Sequence, residues 1–159
     1  MTNPIEDLLF RKHLKEVESK IRLLKLYPNV TFYGVCSIKP NVKIGEGTRI
    51  GEFVVIGENA KIGRNCRILY HVTICKDAVI GDNVFIGPNT SLLNDRYPPS
   101  RKSEPPIIED DVVIGAGCLI FPGVHIGRGA KIGAGVRVRC DVPAGVSWLK
   151  ERFEYEKVD

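Results

Sequence analysis

The sequence lacks the marks of several large protein classes. Its five cysteines, Cys36, Cys66, Cys75, Cys118 and Cys140, are odd in number and never fall as Cys-x-x-Cys, which argues against a disulfide framework or a zinc knuckle. No apolar stretch approaches the roughly 20 residues that a membrane-spanning helix needs. No secretion leader is expected, because Pro4, Glu6 and Asp7 precede only a broken apolar stretch, and a cytoplasmic location is expected with it. Nor is there a basic run. A formal net charge of +4 could help to hold an anionic ligand but does not mark a nucleic-acid binder. A length of 159 residues suits one domain with at most a small appendage.

What the sequence has is a repeat. Ile38, Ile44, Ile50, Ile56, Ile62, Ile68, Ile74, Ile80, Ile86 and Leu92 follow one another every sixth residue, and the series resumes at Ile108, Ile114, Ile120, Ile126, Ile132 and Val138. Glycine often follows, as at Gly45, Gly51, Gly87 and Gly115. A second series, four residues after each apolar one, is small or β-branched: Val42, Thr48, Val54, Ala60, Cys66, Val72, Ala78, Val84, Thr90, then Val112, Cys118, Val124, Ala130, Val136 and Val142. A period of six is neither the 3.6 of a helix nor the alternation of an isolated strand. It fits a triangular coil of three hexapeptides per turn. The apolar residue points into a narrow prism, the small residue fills the corner, and glycine serves where a Cβ would clash. Coils stacked at the strand spacing of ~4.8 Å make a prism of about five coils, on the order of 25 Å long. Cys66 and Cys118, and Cys36 by extension of the series, read as small core fillers.

The chain divides into residues 1–29, the coil over 30–146 and a tail over 147–159. Residues 4–27 read as a helix, with Asn3 as its cap and Pro4 in its first turn. Phe10, Leu14, Val17, Ile21 and Leu24 form a narrow seam along it. This helix would either cover the open end of the coil, where strand edges are exposed, or pack on a neighbouring subunit. In the tail, Trp148, Phe153 and Tyr155 could form a short helix over the other end. The repeat breaks once. Ile108 stands 16 residues after Leu92 where six are required, so ten residues are extruded within a proline-stiffened loop, 94–106. One charged loop leaving a rigid scaffold is expected to be a functional element, the alternative being a tolerated insertion.

Over roughly residues 32–146 this pattern resembles the hexapeptide-repeat acyltransferase superfamily. The resemblance implies a left-handed parallel β-helix, against the usual crossover hand. It also implies a homotrimer whose active sites lie between subunits, and acetyl-CoA as co-substrate. The stretch from Phe85 to Pro98, with Gly87-Pro88, a short apolar run and Asn94, is similar to the branch that N-acetylates 3-amino sugars linked to a nucleoside diphosphate. In that branch arginine often follows the loop proline directly. Here Pro99 follows Pro98, and Arg96 or Arg101 would take its place. The runs Ile114-Gly115-Ala116-Gly117 and Ile132-Gly133-Ala134-Gly135 are shared across the superfamily. They imply that acetyl-CoA passes Gly115, Ala116, Gly117 and Ala134, with Arg137 and Arg139 placed for a phosphate. The Gly-x-Pro-Ala found near the end of many members is absent.

Acetyl transfer needs a positioned nucleophile, and histidine is the usual base. His13 lies on the helix and His125 in an outward position. His71 falls 18 residues before Asn89, so the two stack on one face, about 5 Å apart. His71 is the candidate base and Asn89 a candidate substrate contact. By resemblance Asn94 would orient the sugar amine, with Asp95 as its electrostatic partner and Arg96, Tyr97 and Arg101 as further substrate contacts. Zinc chemistry of the γ-carbonic anhydrase kind needs three histidines at one site; His71 and His125 fall on different faces, so no metal is expected. Two alternatives stay open. One is an O-acetyltransferase acting on serine or a sugar hydroxyl, because Ile68-Leu69-Tyr70-His71-Val72-Thr73 resembles the histidine-bearing segment of serine acetyltransferases, although the loop carries no second histidine. The other is a non-catalytic assembly module.

Overall fold

In the computed structural model, which describes residues 4–100 and 102–149, the chain after one helix is a parallel β-helix. Helix α1 spans Pro4–Leu26, and eighteen two-residue strands follow, from Thr31–Phe32 to Ser147–Trp148. Each strand shows one residue outward and one inward, which is all that a six-residue side of a triangle allows. Every third strand pairs with the next in parallel, giving sheets of seven, six and five strands. Eighteen strands, three to a coil, make six coils. That is two strands more than the stretch from Ile38 to Val138 contains, because Thr31–Phe32 and Ser147–Trp148 join the ladders at the two ends. The register is 18 residues, Ile50 on Ile68 on Ile86. It becomes 28 where the loop leaves, Ile80 on Ile108, and the prism closes beneath the loop as if the ten residues were not there.

The interior is the two series read from the sequence. Ile50, Ile56, Ile86, Ile114, Ile120 and Ile126 are wholly buried, as are Ala60, Cys66, Ala78, Cys118 and Ala130. The small-residue position also carries polar atoms across coils. Thr90 Oγ1 donates to the Gly115 carbonyl (3.0 Å) and accepts the Cys118 N–H (3.2 Å). Thr48 does the same with Gly63 (2.8 Å) and Cys66 (3.0 Å). The Cys66 and Cys118 thiols donate to Gly81 and Gly133 carbonyls. These cysteines are therefore rungs as well as fillers, and burial pushes the Cys36, Cys66 and Cys118 thiols up. Cys75 is half-buried and pushed up to about 12 by burial, while Cys140 is exposed.

A third series, three residues after each inward isoleucine, turns the corners. Asn41, Asn59, Asn65, Asp77, Asn83, Asn89 and Asp111 have positive φ, as do Gly47, Gly117, Gly123, Gly129 and Gly135. These are the residue types that tolerate the left-handed region. Their side chains ladder between coils, Asn41 to Asn59 and Asn59 to Asp77.

Two placements differ from the sequence reading. Val142 does not sit in the small-residue series. It pairs with Ile126, and Ile132 pairs with Trp148, so the last coil is two residues short. Asp141 makes the short corner possible by accepting the His125 N–H on its carboxylate (2.8 Å), where the ladder elsewhere uses a carbonyl. Ser147–Trp148 is then a strand. Phe153, Tyr155 and the Asn3 cap lie outside the described residues. Helix α1 meets the prism through Leu23, which is buried, and through Tyr27, whose hydroxyl donates to the Val42 carbonyl (2.9 Å). Leu14, Val17, Ile21 and Leu24 stay exposed along it.

The threonine rungs give a direct test. Thr90→Val keeps the volume but orphans a buried N–H and a carbonyl, so chemical denaturation should show a loss of about 1–3 kcal/mol. A loss under about 0.5 kcal/mol would mean that the rung contributes little.

Candidate functional site

Three corner ladders run the length of the prism. The one between the seven- and six-stranded sheets, here the first corner, carries Phe53, His71, Asn89, Gly117 and Gly135 on successive coils, with φ of 58, 57, 58, 66 and 75°. Backbone bonds tie the levels together. The His71 N–H donates to the Glu52 carbonyl (3.0 Å), Asn89 to Tyr70 (3.2 Å), Gly117 to Pro88 (2.8 Å) and Gly135 to Ala116 (2.8 Å). His71 thus lies one coil below Asn89, at the spacing the 18-residue period predicts. Going up the column, the side chains shrink from phenyl to imidazole to carboxamide to nothing.

The upper part of this corner is a wall of backbone. Gly115, Ala116, Gly117 and Ala134 all belong to it. A Cβ placed on Gly117 or Gly135 would meet nothing within 4 Å, so these glycines serve the positive φ and leave the space outside open. Gly115 differs: a Cβ there would lie 2.5 Å from the Ala134 nitrogen, and its glycine permits the coils to touch.

The lower part is aromatic. Phe53 is the one bulky residue among the positive-φ positions, a strain of about 1–3 kcal/mol. Its ring is 55% exposed and stacks on His71, with centroids 5.1 Å apart and planes 21° apart. Tyr70 meets the same imidazole edge-on at 6.1 Å. Among the described residues no side chain hydrogen-bonds to the His71 ring, so its nitrogens are open to a ligand. Below and beside it lies a pocket of about 460 Å³, lined by Tyr33, Arg49, Phe53, Arg67 and Tyr70 among others. Of these, the sequence reading singled out none. The available signal was Phe53, a phenylalanine in a corner series otherwise made mostly of Asn, Asp and Gly.

The loop leaves at the second corner, one sheet away from Asn89 on the same coil. Its neck is tightly bonded. The Asn94 carbonyl accepts the Glu104 N–H (2.7 Å), and the Asn94 amide donates to Ser103 Oγ (3.0 Å). Asp95 accepts the N–H groups of Tyr97 (3.0 Å) and Ser100 (2.8 Å). Arg96 donates to the Pro122 carbonyl (3.0 Å) and pairs with Glu104 (3.5 Å). Tyr97 is 79% exposed, and Arg101 lies outside the described residues. One chain therefore brings together His71, Asn89 and the glycine-alanine wall, and holds Asn94, Asp95, Arg96 and Tyr97 at another corner. Arg137 stands on the outer face of the six-stranded sheet, and the Arg139 guanidinium lies 5.1 Å from the centre of the Phe121 ring. His13 is exposed on α1. His125 bonds Glu109 (2.8 Å), whose carboxyl is held low first by the Arg128 N–H and then by His125. Among the described residues no three His, Cys, Asp or Glu side chains are grouped to hold a metal ion. No helix among them is long and apolar enough to cross a membrane.

Two families match the chain, bacterial transferase hexapeptide (six repeats) over residues 41–76 and 59–94, and hexapeptide repeat of succinyl-transferase over residues 105–140. Between them they take in more than half of it. A 48-residue stretch is 56% identical to the 2,3,4,5-tetrahydropyridine-2,6-dicarboxylate N-acetyltransferase of Staphylococcus aureus (strain JH9), covering 30% of this chain and 19% of that protein. Among solved structures, the fold is similar to the acetyltransferase domain of PglB from Neisseria gonorrhoeae FA1090 in complex with acetyl coenzyme A. The TM-score is 0.64 at 22% identity, over 75% of this chain and 53% of that one. It is also similar to PerB from Caulobacter crescentus in complex with CoA and GDP-perosamine, with a TM-score of 0.61 at 22% identity, over 75% and 54%. The chain thus spans about a fifth of the length of that curated relative and about half of those structures. The likeness is one of fold, consistent with the left-handed coil expected from the repeat.

Two measurements bear on the site. Phe53→Asn should relieve the corner strain, raising stability by about 1 kcal/mol in denaturant titrations after the lost stacking is allowed for; a destabilised variant would mean that the stack outweighs the strain. The Asp95 carboxyl is held below its ordinary value of 3.8, first by the Ser100 N–H and also by Tyr97. A depressed value means that the loop's stabilisation is complete above 3.8 and is lost as the pH falls through the folded value. Asp95→Asn should therefore speed limited proteolysis within 94–106 at neutral pH. Unchanged cleavage would show that the loop is held by its other bonds.

Proposed function

The chain belongs to the hexapeptide-repeat transferase superfamily, and from that premise we propose that it is an acetyl-CoA-dependent N-acetyltransferase acting on the amine of a nucleotide-linked amino sugar. One observation carries the reading: the open histidine of the first corner, His71, stands with Asn89 directly beneath a wall that has no side chain larger than methyl. Such a wall fits a thin acyl-carrying chain lying against backbone amides, and the open space outside Gly117 and Gly135 is where it would run. Gly115, Ala116, Gly117 and Ala134 form the track, with Arg137 and Arg139 toward its upper end. The 48-residue relative is named as an N-acetyltransferase, and PerB was solved with CoA and GDP-perosamine; both support an amine acceptor over a hydroxyl.

Acetyl-CoA supplies the activated thioester. The acceptor amine attacks its carbonyl, a C–N bond forms and the C–S bond breaks. His71 takes the proton that the amine sheds and returns it to the departing sulfur, leaving an amide and a free thiol. Phe53 and Tyr70 hold the imidazole from face and edge, so that it meets the amine in one orientation. Asn89, one coil up, is placed to bond the acceptor. A straight prism has no cleft, and the loop stands one sheet away from His71. The proposal therefore includes a homotrimer in the cytoplasm, in which Asn94, Asp95, Arg96, Tyr97 and Arg101 of one subunit face the first corner of the next.

The test is thiol release from acetyl-CoA with a panel of UDP- and dTDP-linked 3-amino and 4-amino sugars, serine and a simple glycoside. Turnover of an amino-sugar nucleotide alone is expected. His71→Asn should lower kcat by about 10²–10⁴ with the fold unchanged, and mixing inactive His71→Asn chains with inactive loop variants should restore activity in hybrid trimers. Turnover of serine or the glycoside would move the reaction to oxygen, and silence across the panel would end the enzymatic reading.

A further inference from the structure

The pocket below His71 has a chemistry that acetyl transfer itself does not require. Arg49 and Arg67 are register partners on the outer face of the seven-stranded sheet, one strand spacing apart, about 4.8 Å. Like charges placed directly opposite are destabilising. Two other arginines of the prism have carboxylates, Arg64 on Asp82 at 3.4 Å and Arg128 on Asp110 at 2.8 Å. Arg49 and Arg67 have no such partner among the described residues, although Glu52 lines the same pocket. Two unpaired guanidiniums, held side by side by the ladder, are built for a ligand with two adjacent anionic groups.

Aromatic surface surrounds them. Tyr33, Phe53 and Tyr70 are each more than half exposed, at 57, 55 and 51%, and all three line the pocket. Phe53 keeps its place against backbone strain. Gly51 lets the coil that bears Tyr70 pack close, since a Cβ there would lie 2.6 Å from the Tyr70 nitrogen. Flat apolar faces beside a pair of arginines suit a planar base joined to phosphates.

We propose that this pocket binds the nucleoside diphosphate of the acceptor, with Arg49 and Arg67 on the two phosphates and the Tyr33, Phe53 and Tyr70 surface against the base. The inference rests on the acceptor reading above and extends it to Arg49, Arg67 and Tyr33, which that mechanism does not use. The geometry makes it coherent. Arg67 stands four residues before His71 in the same coil, and Arg49 four before Phe53. The acyl donor then descends the first corner from the glycine wall, while the acceptor enters from the side of the lower coils. The two meet at His71 and Asn89. Glu52, with no ion-pair partner among the described residues, is left to accept from a ribose hydroxyl.

CoA also carries a nucleoside diphosphate, so the test must separate the two sources. Isothermal titration of the full chain with UDP, dTDP, GDP, ADP, inorganic pyrophosphate and acetyl-CoA does so. At least one nucleoside diphosphate should bind once per chain. Arg49→Ala with Arg67→Ala should weaken it at least about tenfold and leave acetyl-CoA affinity within about twofold. Tyr33→Ala should weaken the nucleotide but not pyrophosphate. Lys43→Ala with Lys61→Ala, a second stacked cation pair on the five-stranded sheet, should change nothing, which controls for general charge. Equal loss of acetyl-CoA and nucleotide would assign the pocket to the donor and overturn the proposal. So would nucleotide binding that survives the double arginine variant, or no nucleotide binding by the wild-type chain. The acceptor reading is judged separately by thiol release: amino-sugar nucleotide turnover that survives loss of both arginines would leave that reading standing and sink the subsite alone.

Discussion

At nearly every corner of the prism one residue takes a positive φ, and the rest of the molecule is arranged around that demand. The turn must be tight because the sides are only two residues of strand long. It must repeat every sixth residue because a coil has three corners. Asn, Asp and Gly meet the demand at little cost, and the asparagines then stack into ladders that tie one coil to the next. The inward isoleucines and the small corner residues follow from the same geometry, since a triangle this narrow has room for one long side chain per face and a short one at each vertex.

The corner series departs from Asn, Asp and Gly in one column. Phe53 and His71 both hold positive φ, in the same column and in ring contact. Neither side chain is needed to turn the chain, and a phenyl group makes the turn harder. The uniform scaffold above them has a different use: by ending its corner in glycine and alanine, it leaves backbone as the surface a ligand would meet. One column thus has an aromatic lower half that bears an open histidine and a featureless upper half, without any change in fold.

Much of this was legible in the sequence, and the reasons for the rest are specific. The isoleucine period located every inward residue from Ile38 to Val138 and placed the extruded loop, because one long apolar side chain per six residues leaves no other reading. It also put His71 beneath Asn89, since stacking follows from the 18-residue turn. The corner series was present in the same letters but is less uniform, mixing Asn, Asp, Gly, Phe and His, so Phe53 did not stand out as an exception. Val142 was misplaced because the two-residue deletion falls at Cys140-Asp141, where no isoleucine or glycine marks the register. The pairing of Arg49 with Arg67 follows from the period, but their lack of a carboxylate depends on where Glu52 points, which spacing does not convey. The roles of Asn94 and Asp95 as ties in the loop neck depend in the same way on Ser103 and Ser100 folding back.

The ladder resumes after the loop in the register it had before, Ile80 on Ile108 and Ile108 on Ile126. The inserted segment is therefore an excursion with its two ends fixed side by side, and the prism carries no memory of its length. Changes in the middle of that segment leave the ladder's register untouched, whereas a residue gained or lost within a strand would turn the side chains that follow it to the other face. A chain built this way can vary one surface feature without re-registering the coils that carry it.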